Sequence, residues 1–121
     1  TLIVIWLIKL VWGRVRFRQL EGDLTRFTPW YLPQGITGYF SFPSGHTANA
    51  AVIFTSAYYL NFLPENKRIQ RAAAYIALAL WIILLAASRV LVGAHYLSDV
   101  LFGAAITFVI VYLWRPKCQA L

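Results

Sequence analysis

The sequence predicts an all-α protein, a polytopic transmembrane helical bundle. Hydrophobic residues make up 60% of the 121 residues and charged residues only 12%, and the mean hydropathy is +0.64. This composition is too apolar for a soluble domain of this size. Uncharged runs at residues 47–64, 72–87 and 100–114 approach the length that crosses a bilayer once their flanking turns are included. We therefore expect three complete transmembrane helices plus the end of a truncated preceding helix, in a single domain over residues 1–121.

The first element is the end of a helix over residues 1–12. The run from Thr1 to Leu10 is apolar but contains Lys9, and about 20 residues are needed to cross a bilayer as a helix. Residues 13–42 follow as an extracytoplasmic loop, because glycine and proline recur too often there for a long regular element. We expect the chain to begin inside a helix and to lack the segment that precedes Thr1.

Three complete helices follow, and polar segments separate them. Their predicted ranges are 43–63, 71–88 and 97–114. Pro64 ends the first of them, and Arg115 with Pro116 stops the last. Because successive helices alternate in direction, one face of the bundle is expected to collect Lys9, Pro43, Arg89 and His95.

The lysines and arginines orient the chain only weakly. Six lie on the face of His95 and five on the other, which is a near tie under the positive-inside rule. The two groups are Lys9, Arg14, Arg16, Arg18, Arg26 and Arg89, against Lys67, Arg68, Arg71, Arg115 and Lys117. If three of the six bind an anionic substrate, the face with five becomes cytoplasmic. The predicted location is a bacterial cytoplasmic membrane, with the polar site on its extracytoplasmic side.

The first histidine lies in the PSGH segment, residues 43–46, at the start of a predicted helix. A proline in the first turn costs no hydrogen bond, and the free amides of a helix N-terminus attract anions. The amides of Ser44 and Gly45 are therefore candidate phosphate ligands, with His46 beside them. The alternative is an ordinary helix start with an interfacial histidine.

The second histidine, His95, lies four residues before Asp99, so the two side chains share a helical face if the turn is wound. A carboxylate that accepts one ring N–H fixes the tautomer and leaves the other nitrogen free to attack phosphorus. Arg89 precedes them and offers planar donors for phosphate oxygens. The alternatives are a purely structural hydrogen bond for the pair and an arginine that reaches the membrane interface for Arg89.

Further basic residues lie at the end of the first helix and in the loop. Lys9 and Arg16 are candidates to complete a positive lining for a multiply charged anion, although most such residues are interfacial anchors. We assign Arg14, Arg18 and Arg26 to that second class, as contacts for anionic headgroups.

Three ordered motifs together resemble the membrane branch of the type-2 phosphatidate phosphatase superfamily, which also contains lipid phosphate phosphatases and acid phosphatases similar to vanadium haloperoxidases. The first motif is Lys9 with six residues before Arg16, and the second is the PSGH segment. The third is Ser88-Arg89, with five residues before His95 and three more before Asp99. The chain departs from the family pattern at Phe17, where a proline is expected.

The resemblance implies a metal-independent phosphatase without a cofactor. In it His95 attacks phosphorus to form a phosphohistidine, Asp99 orients His95, and His46 protonates the leaving alkoxide. The phosphoryl oxygens are held by Lys9, Arg16, Ser44, Gly45 and Arg89. Membrane members of the family have six transmembrane helices, so the resemblance also implies that two helices and part of a third precede this chain.

The expected function is hydrolysis of a phosphomonoester or diphosphate headgroup of a membrane lipid. Candidate substrates are prenyl diphosphate, phosphatidylglycerol phosphate and phosphatidate, and the expected partners are the lipid and the bilayer, with no nucleic acid. One alternative is a phosphatase or phosphotransferase of the same fold that acts on a soluble phosphate ester. Another is a catalytically silent membrane protein that binds anionic lipid.

Overall fold

The computed structural model describes residues 1–114, and this part of the chain is helical and contains no β-strand. Its α-helices are α1 (Leu2–Trp12), α2 (Gly45–Val52), α3 (Phe54–Leu60), α4 (Arg68–Leu91) and α5 (Leu97–Trp114). Short 3₁₀ turns lie at Phe17–Gln19, Leu24–Arg26 and Glu65–Lys67. The predicted all-α class is confirmed. The predicted stop of the last helix at residues 115–117 lies outside the described residues.

Two segments are long and apolar enough to cross a membrane, Glu65–Leu91, which contains α4, and Leu97–Trp114, which is α5. They correspond to the predicted ranges 71–88 and 97–114, and the first of them is longer at both ends than predicted. Most of their large apolar side chains face outward, as expected of helices that contact lipid. The predicted number of three complete transmembrane helices is not confirmed.

The predicted helix over residues 43–63 is divided into α2 and α3 at Ile53. The amide of Ile53 donates to the carbonyl of Ala50 at 3.3 Å, and the amide of Ser56 donates to the carbonyl of Ile53 at 2.9 Å. These bonds join residues three apart instead of four, as in a 3₁₀ turn. The hydroxyl of Ser56 donates to the same Ile53 carbonyl, which weakens the normal α-helical ladder at this point.

The long loop over residues 13–42 folds back over the end of α1. Gly13 ends α1 with φ of 57°, a left-handed conformation that favours glycine. A Cβ atom at Gly13 would lie 2.2 Å from the carbonyl oxygen of Gly35, so the loop approaches too closely for any side chain there. Thr37 closes the contact by donating its hydroxyl to the Gly13 carbonyl at 2.7 Å.

Helix α2 lies in the centre and packs closely against α5. A Cβ atom at Gly103 would lie 2.5 Å from the carbonyl oxygen of Ser44, and the Thr107 hydroxyl donates to the Ala48 carbonyl at 3.3 Å. Small residues allow this kind of close helix contact inside a membrane. The contact places the start of α2 beside the start of α5, so the two predicted histidine segments meet at one end of the bundle.

Candidate active site

A cavity of about 490 Å³ lies at the end of the bundle where α2 and α5 begin. Its lining is Leu2, Trp6, Lys9, Arg16, Phe40, Gly45, His46, Asn49 and His95. Predicted site residues from α1, the loop, α2 and the connection between α4 and α5 thus share one space. Two further cavities in the described part of the chain are lined without a histidine or a charged side chain. This cavity is therefore the candidate active site.

The two histidines line this cavity in different surroundings. Their ring centroids are 6.5 Å apart. His46 lies in the first turn of α2, outside the two candidate membrane spans, and is exposed, whereas His95 is only 4% exposed. Partial desolvation at the cavity wall lowers the pKa of His46, and the nearby basic groups Arg89, His95, Lys9 and Arg16 lower it further. A cavity that disfavours another positive charge favours an anion for the same electrostatic reason.

The ring of His95 is held by a backbone carbonyl. Its Nδ1 lies 2.7 Å from the carbonyl oxygen of Ser41. Because a carbonyl oxygen only accepts, Nδ1 carries the hydrogen, and Nε2 of the neutral ring keeps its lone pair. The distance from Nδ1 to the nearer carboxylate oxygen of Asp99 is 3.7 Å, which is too long for a hydrogen bond. The predicted ring N–H bond to Asp99 is thus replaced by a bond to Ser41, although the acid remains nearby.

Asp99 is completely buried and is bound by other groups. One carboxylate oxygen accepts from Nη1 of Arg14 at 2.5 Å. The other accepts from the hydroxyl of Ser41 and from the amide of Tyr96, the latter at 3.0 Å. A buried carboxylate requires a paired charge and satisfied hydrogen bonds, and Arg14 and Ser41 supply both.

The assignment of Arg14 to the membrane interface is therefore wrong. Its side chain is buried and forms the ion pair with Asp99, 85 positions along the chain. The sequence contains one signal for such a pair, because Asp99 is an acid at the start of an apolar helix and needs a cation. Several arginines precede it, however, and neither Arg14 nor Ser41 is distinguished from its neighbours by spacing.

The PSGH segment begins α2 differently from the prediction. Ser44 is the N-cap residue, so Pro43 precedes the helix and does not lie in its first turn. The Ser44 hydroxyl accepts from the Thr47 amide at 3.3 Å, and the Ser44 amide donates to the Asp99 carbonyl at 2.8 Å. The expectation that this amide is free for phosphate is wrong, because α5 already uses it. Gly45, in contrast, lines the cavity.

Lys9 and Arg89 reach the region of the site from different helices, α1 and α4. The Lys9 ammonium donates to the Phe40 carbonyl at 2.6 Å and lines the cavity. Arg89 lies in the last turn of α4, and its carbonyl accepts the amides of Ala94 and His95 at 3.1 and 3.3 Å. Its guanidinium is half-buried and acts electrostatically on His46. Both cations are therefore available near one anion, although Arg89 is not in the cavity wall.

Arg16 keeps an extended backbone despite the residue that follows it. Its φ and ψ are −75° and 149°, the conformation that a following proline would impose. Phe17 begins a 3₁₀ turn there, and its ring packs edge to face on Tyr96 with centroids 6.0 Å apart. Arg16 thus keeps the extended conformation and lines the cavity even though Phe17 replaces the family proline.

The motif residues gathered in one cavity define a candidate phosphatase site, and comparison with known families agrees. A model of the PAP2 superfamily matches residues 1–119, and the chain belongs to this superfamily. No solved structure matches the chain.

The curated relatives that the chain matches include two kinds of phosphatase. Phosphatidylglycerophosphatase B of Bacillus subtilis is 33% identical over 114 residues, which is 88% of this chain and 54% of that protein. Lipid A 1-phosphatase of Rhizobium etli is 38% identical over 100 residues, which is 82% of this chain and 38% of that protein. The chain thus spans about half the length of the first relative and less of the second.

Proposed function

We propose that the protein is a metal-independent membrane lipid phosphatase that hydrolyses a phosphomonoester or diphosphate headgroup through a phosphohistidine intermediate. The observation that carries this proposal is the single cavity lined by Lys9, Arg16, His46 and His95. A cationic lining favours an anionic substrate and disfavours a metal ion. The 6.5 Å between the histidine rings leaves room for a phosphoryl group between an attacking and a protonating imidazole.

In the first chemical step, Nε2 of neutral His95 attacks phosphorus. The new N–P bond forms as the P–O bond to the lipid breaks, and protonated His46 gives its proton to the leaving alkoxide. Lys9, Arg16 and Arg89 stabilise the charge on the equatorial phosphoryl oxygens, which is the main protein contribution in phosphoryl transfer. The products of this step are a phosphohistidine at His95 and the lipid alcohol, or the lipid monophosphate when the substrate is a diphosphate.

In the second step, neutral His46 takes a proton from water, and the resulting hydroxide attacks phosphorus. The N–P bond breaks, inorganic phosphate leaves, and both histidines return to their starting protonation states. The Ser41 carbonyl, which accepts from Nδ1 at 2.7 Å, stabilises the positive charge that the His95 ring carries as the intermediate.

A lipid is the preferred substrate class because one wall of the cavity is apolar. Leu2 and Trp6, both exposed on α1, and Phe40 of the loop line this wall. Such side chains suit an acyl or prenyl chain that enters from the bilayer. Prenyl diphosphate, phosphatidylglycerol phosphate and phosphatidate are the candidates. The proposed location is a bacterial cytoplasmic membrane, with the cavity on the extracytoplasmic face.

A substrate panel tests the proposal. The intact protein in detergent micelles is given each candidate lipid and, in parallel, a water-soluble ester such as glycerol phosphate, and released phosphate is measured with and without EDTA. We expect turnover of at least one lipid, at least tenfold higher kcat/KM than for the soluble ester, and no effect of EDTA. Preference for the soluble ester would favour the alternative phosphatase, and no turnover would favour a silent lipid-binding protein.

A further inference from the structure

Arg14 occupies a fully enclosed position behind the candidate active site. It is 2% exposed and is not part of the cavity lining. Its Nε donates to the Thr28 carbonyl and its Nη1 to the Ser98 hydroxyl, both at 2.8 Å, in addition to the ion pair with Asp99. The guanidinium also lies 4.0 Å from the ring centroid of Tyr96. These contacts define one orientation for the guanidinium, which suits its planar set of donors.

A continuous chain of hydrogen bonds leads from Arg14 to the ring of His95. Arg14 binds one oxygen of Asp99, and the other oxygen accepts the hydroxyl of Ser41. The Ser41 amide donates to the Arg14 carbonyl at 3.0 Å, and the Ser41 carbonyl accepts Nδ1 of His95 at 2.7 Å. Arg14 and Ser41 are therefore joined directly by a backbone bond and, through the carboxylate of Asp99, by their side chains, and the Ser41 carbonyl binds the imidazole.

We propose that Arg14 is a positioning residue for the nucleophile: it fixes Asp99, Asp99 fixes Ser41, and the Ser41 carbonyl aims Nε2 of His95 into the cavity. The inference rests on the proposed function, in which His95 attacks phosphorus. Arg14 itself touches neither substrate nor phosphoryl oxygens, because it lies outside the cavity wall. Its effect is on the alignment of the reacting nitrogen, and small misalignments in such a site are costly.

If Arg14 acts by positioning His95, removing it should slow the chemical step and leave phosphate binding nearly unchanged. Phosphate is held by Lys9, Arg16 and Arg89, none of which is bonded to Arg14 in the described residues. Arg14→Gln should therefore lower kcat roughly 100-fold, the size of loss expected when a reacting group is displaced by about 1 Å. The inhibition constant for inorganic phosphate should change by less than about threefold, because the cationic lining is intact. Arg14→Lys, which keeps the charge but not the planar donors, should recover part of kcat.

The experiment measures kcat, KM, phosphate inhibition and the thermal transition for the intact protein in detergent. The matched control is Arg18→Gln, which removes the same charge from an exposed side chain four positions away and should leave kcat unchanged. A kcat for Arg14→Gln equal to that of the control would overturn the proposal. A parallel loss of kcat and of phosphate binding in a folded variant would also overturn it, because that pattern indicates general damage to the site.

Ser41→Ala tests the same chain of bonds if Arg14→Gln does not fold. It removes only the hydroxyl that joins Ser41 to Asp99 and leaves the buried ion pair intact. We expect a loss in kcat of roughly tenfold with unchanged phosphate inhibition, and an unchanged kcat would overturn the inference. His95→Ala separates this result from a failure of the proposed function: full activity in that variant rejects the nucleophile itself, whatever Arg14 does.

Discussion

His46 and His95 line the same cavity, yet their rings differ in burial and in hydrogen bonding. The ring of His95 is buried and bonded to the Ser41 carbonyl, whereas His46 is exposed and has no hydrogen-bond partner for its ring among residues 1–114. A nucleophile must present one nitrogen along a defined line. A general acid that serves the leaving group and then activates water benefits from access to solvent. The comparison therefore supports an attacking His95 and a proton-transferring His46.

The largest expected effect comes from removing the buried member of the pair. His95→Ala should lower kcat by roughly four orders of magnitude or more, because it removes the nitrogen that is proposed to form the phosphohistidine. Phosphate release by purified variant and wild type measures this, with acid-quenched samples probed for phosphohistidine. Added inorganic phosphate should still raise the Tm of the His95→Ala variant, which would show that its cavity is intact. Activity near the wild-type level would reject His95 as the nucleophile.

Removing the exposed member should have a smaller effect that depends on the leaving group. His46→Ala should lower kcat by roughly 10²- to 10⁴-fold with a lipid substrate. The loss in the first step should be much smaller with p-nitrophenyl phosphate, whose leaving group needs no proton. Because the same variant lacks the base for water attack, the phosphoenzyme should accumulate and be trapped after rapid quenching. An equal loss with both substrates and no trapped intermediate would contradict the acid role of His46.

The scaffold that joins the two histidine segments can be tested at Gly103. Gly103→Ala places a Cβ atom 2.5 Å from the Ser44 carbonyl, so α5 must move away from the start of α2. The expected loss in the free energy of unfolding is about 1–3 kcal/mol, as for other overpacked sites, with a lower Tm. Ala105→Ser also adds one heavy atom, but on an exposed face of α5, and should leave Tm unchanged. Equal Tm values would show that this contact is not important.

The smallest expected effect is a shift in the pH dependence of kcat/KM. Burial and neighbouring cations lower the pKa of His46 in the empty cavity. Because the acid form is required in the first step, kcat/KM should fall as pH rises through this pKa. Arg89→Gln removes one of the cations, so the pKa should rise and the falling limb should move to higher pH, even though overall activity is reduced. The control is Arg18→Gln, and a limb that stays in place or moves to lower pH would exclude His46 as its source.

The helices were predicted from the sequence to different degrees. The range 97–114 agrees with α5, and 71–88 lies within α4, because long uncharged runs are a local signal. The range 43–63 also lacks charge, but its hydrogen bonds shift at Ile53, where the Ser56 hydroxyl competes for a carbonyl. Hydropathy does not report such a change in the hydrogen-bond ladder.

In the site, too, features that depend on neighbouring residues were predicted from the sequence, and contacts between distant residues were not. Local spacing made His46, Arg89, His95 and Asp99 candidates, and the resemblance of the ordered motifs to the family gave them roles, since motifs are carried by residues close in sequence. Local spacing did not indicate that the Ser44 amide is bonded to the Asp99 carbonyl, nor that Asp99 is bonded to Arg14. Both contacts join parts of the chain that are distant in sequence.

The sequence by itself therefore determined the apolar helices and the residue types available for phosphate chemistry. Only the tertiary structure decided which arginine pairs with Asp99 and which group holds the ring of His95. The physical reason is that several arginines satisfy the local pattern equally well. The path of the loop from Gly13 to Phe42 selects one of them by burying Arg14 and Ser41 against the start of α5.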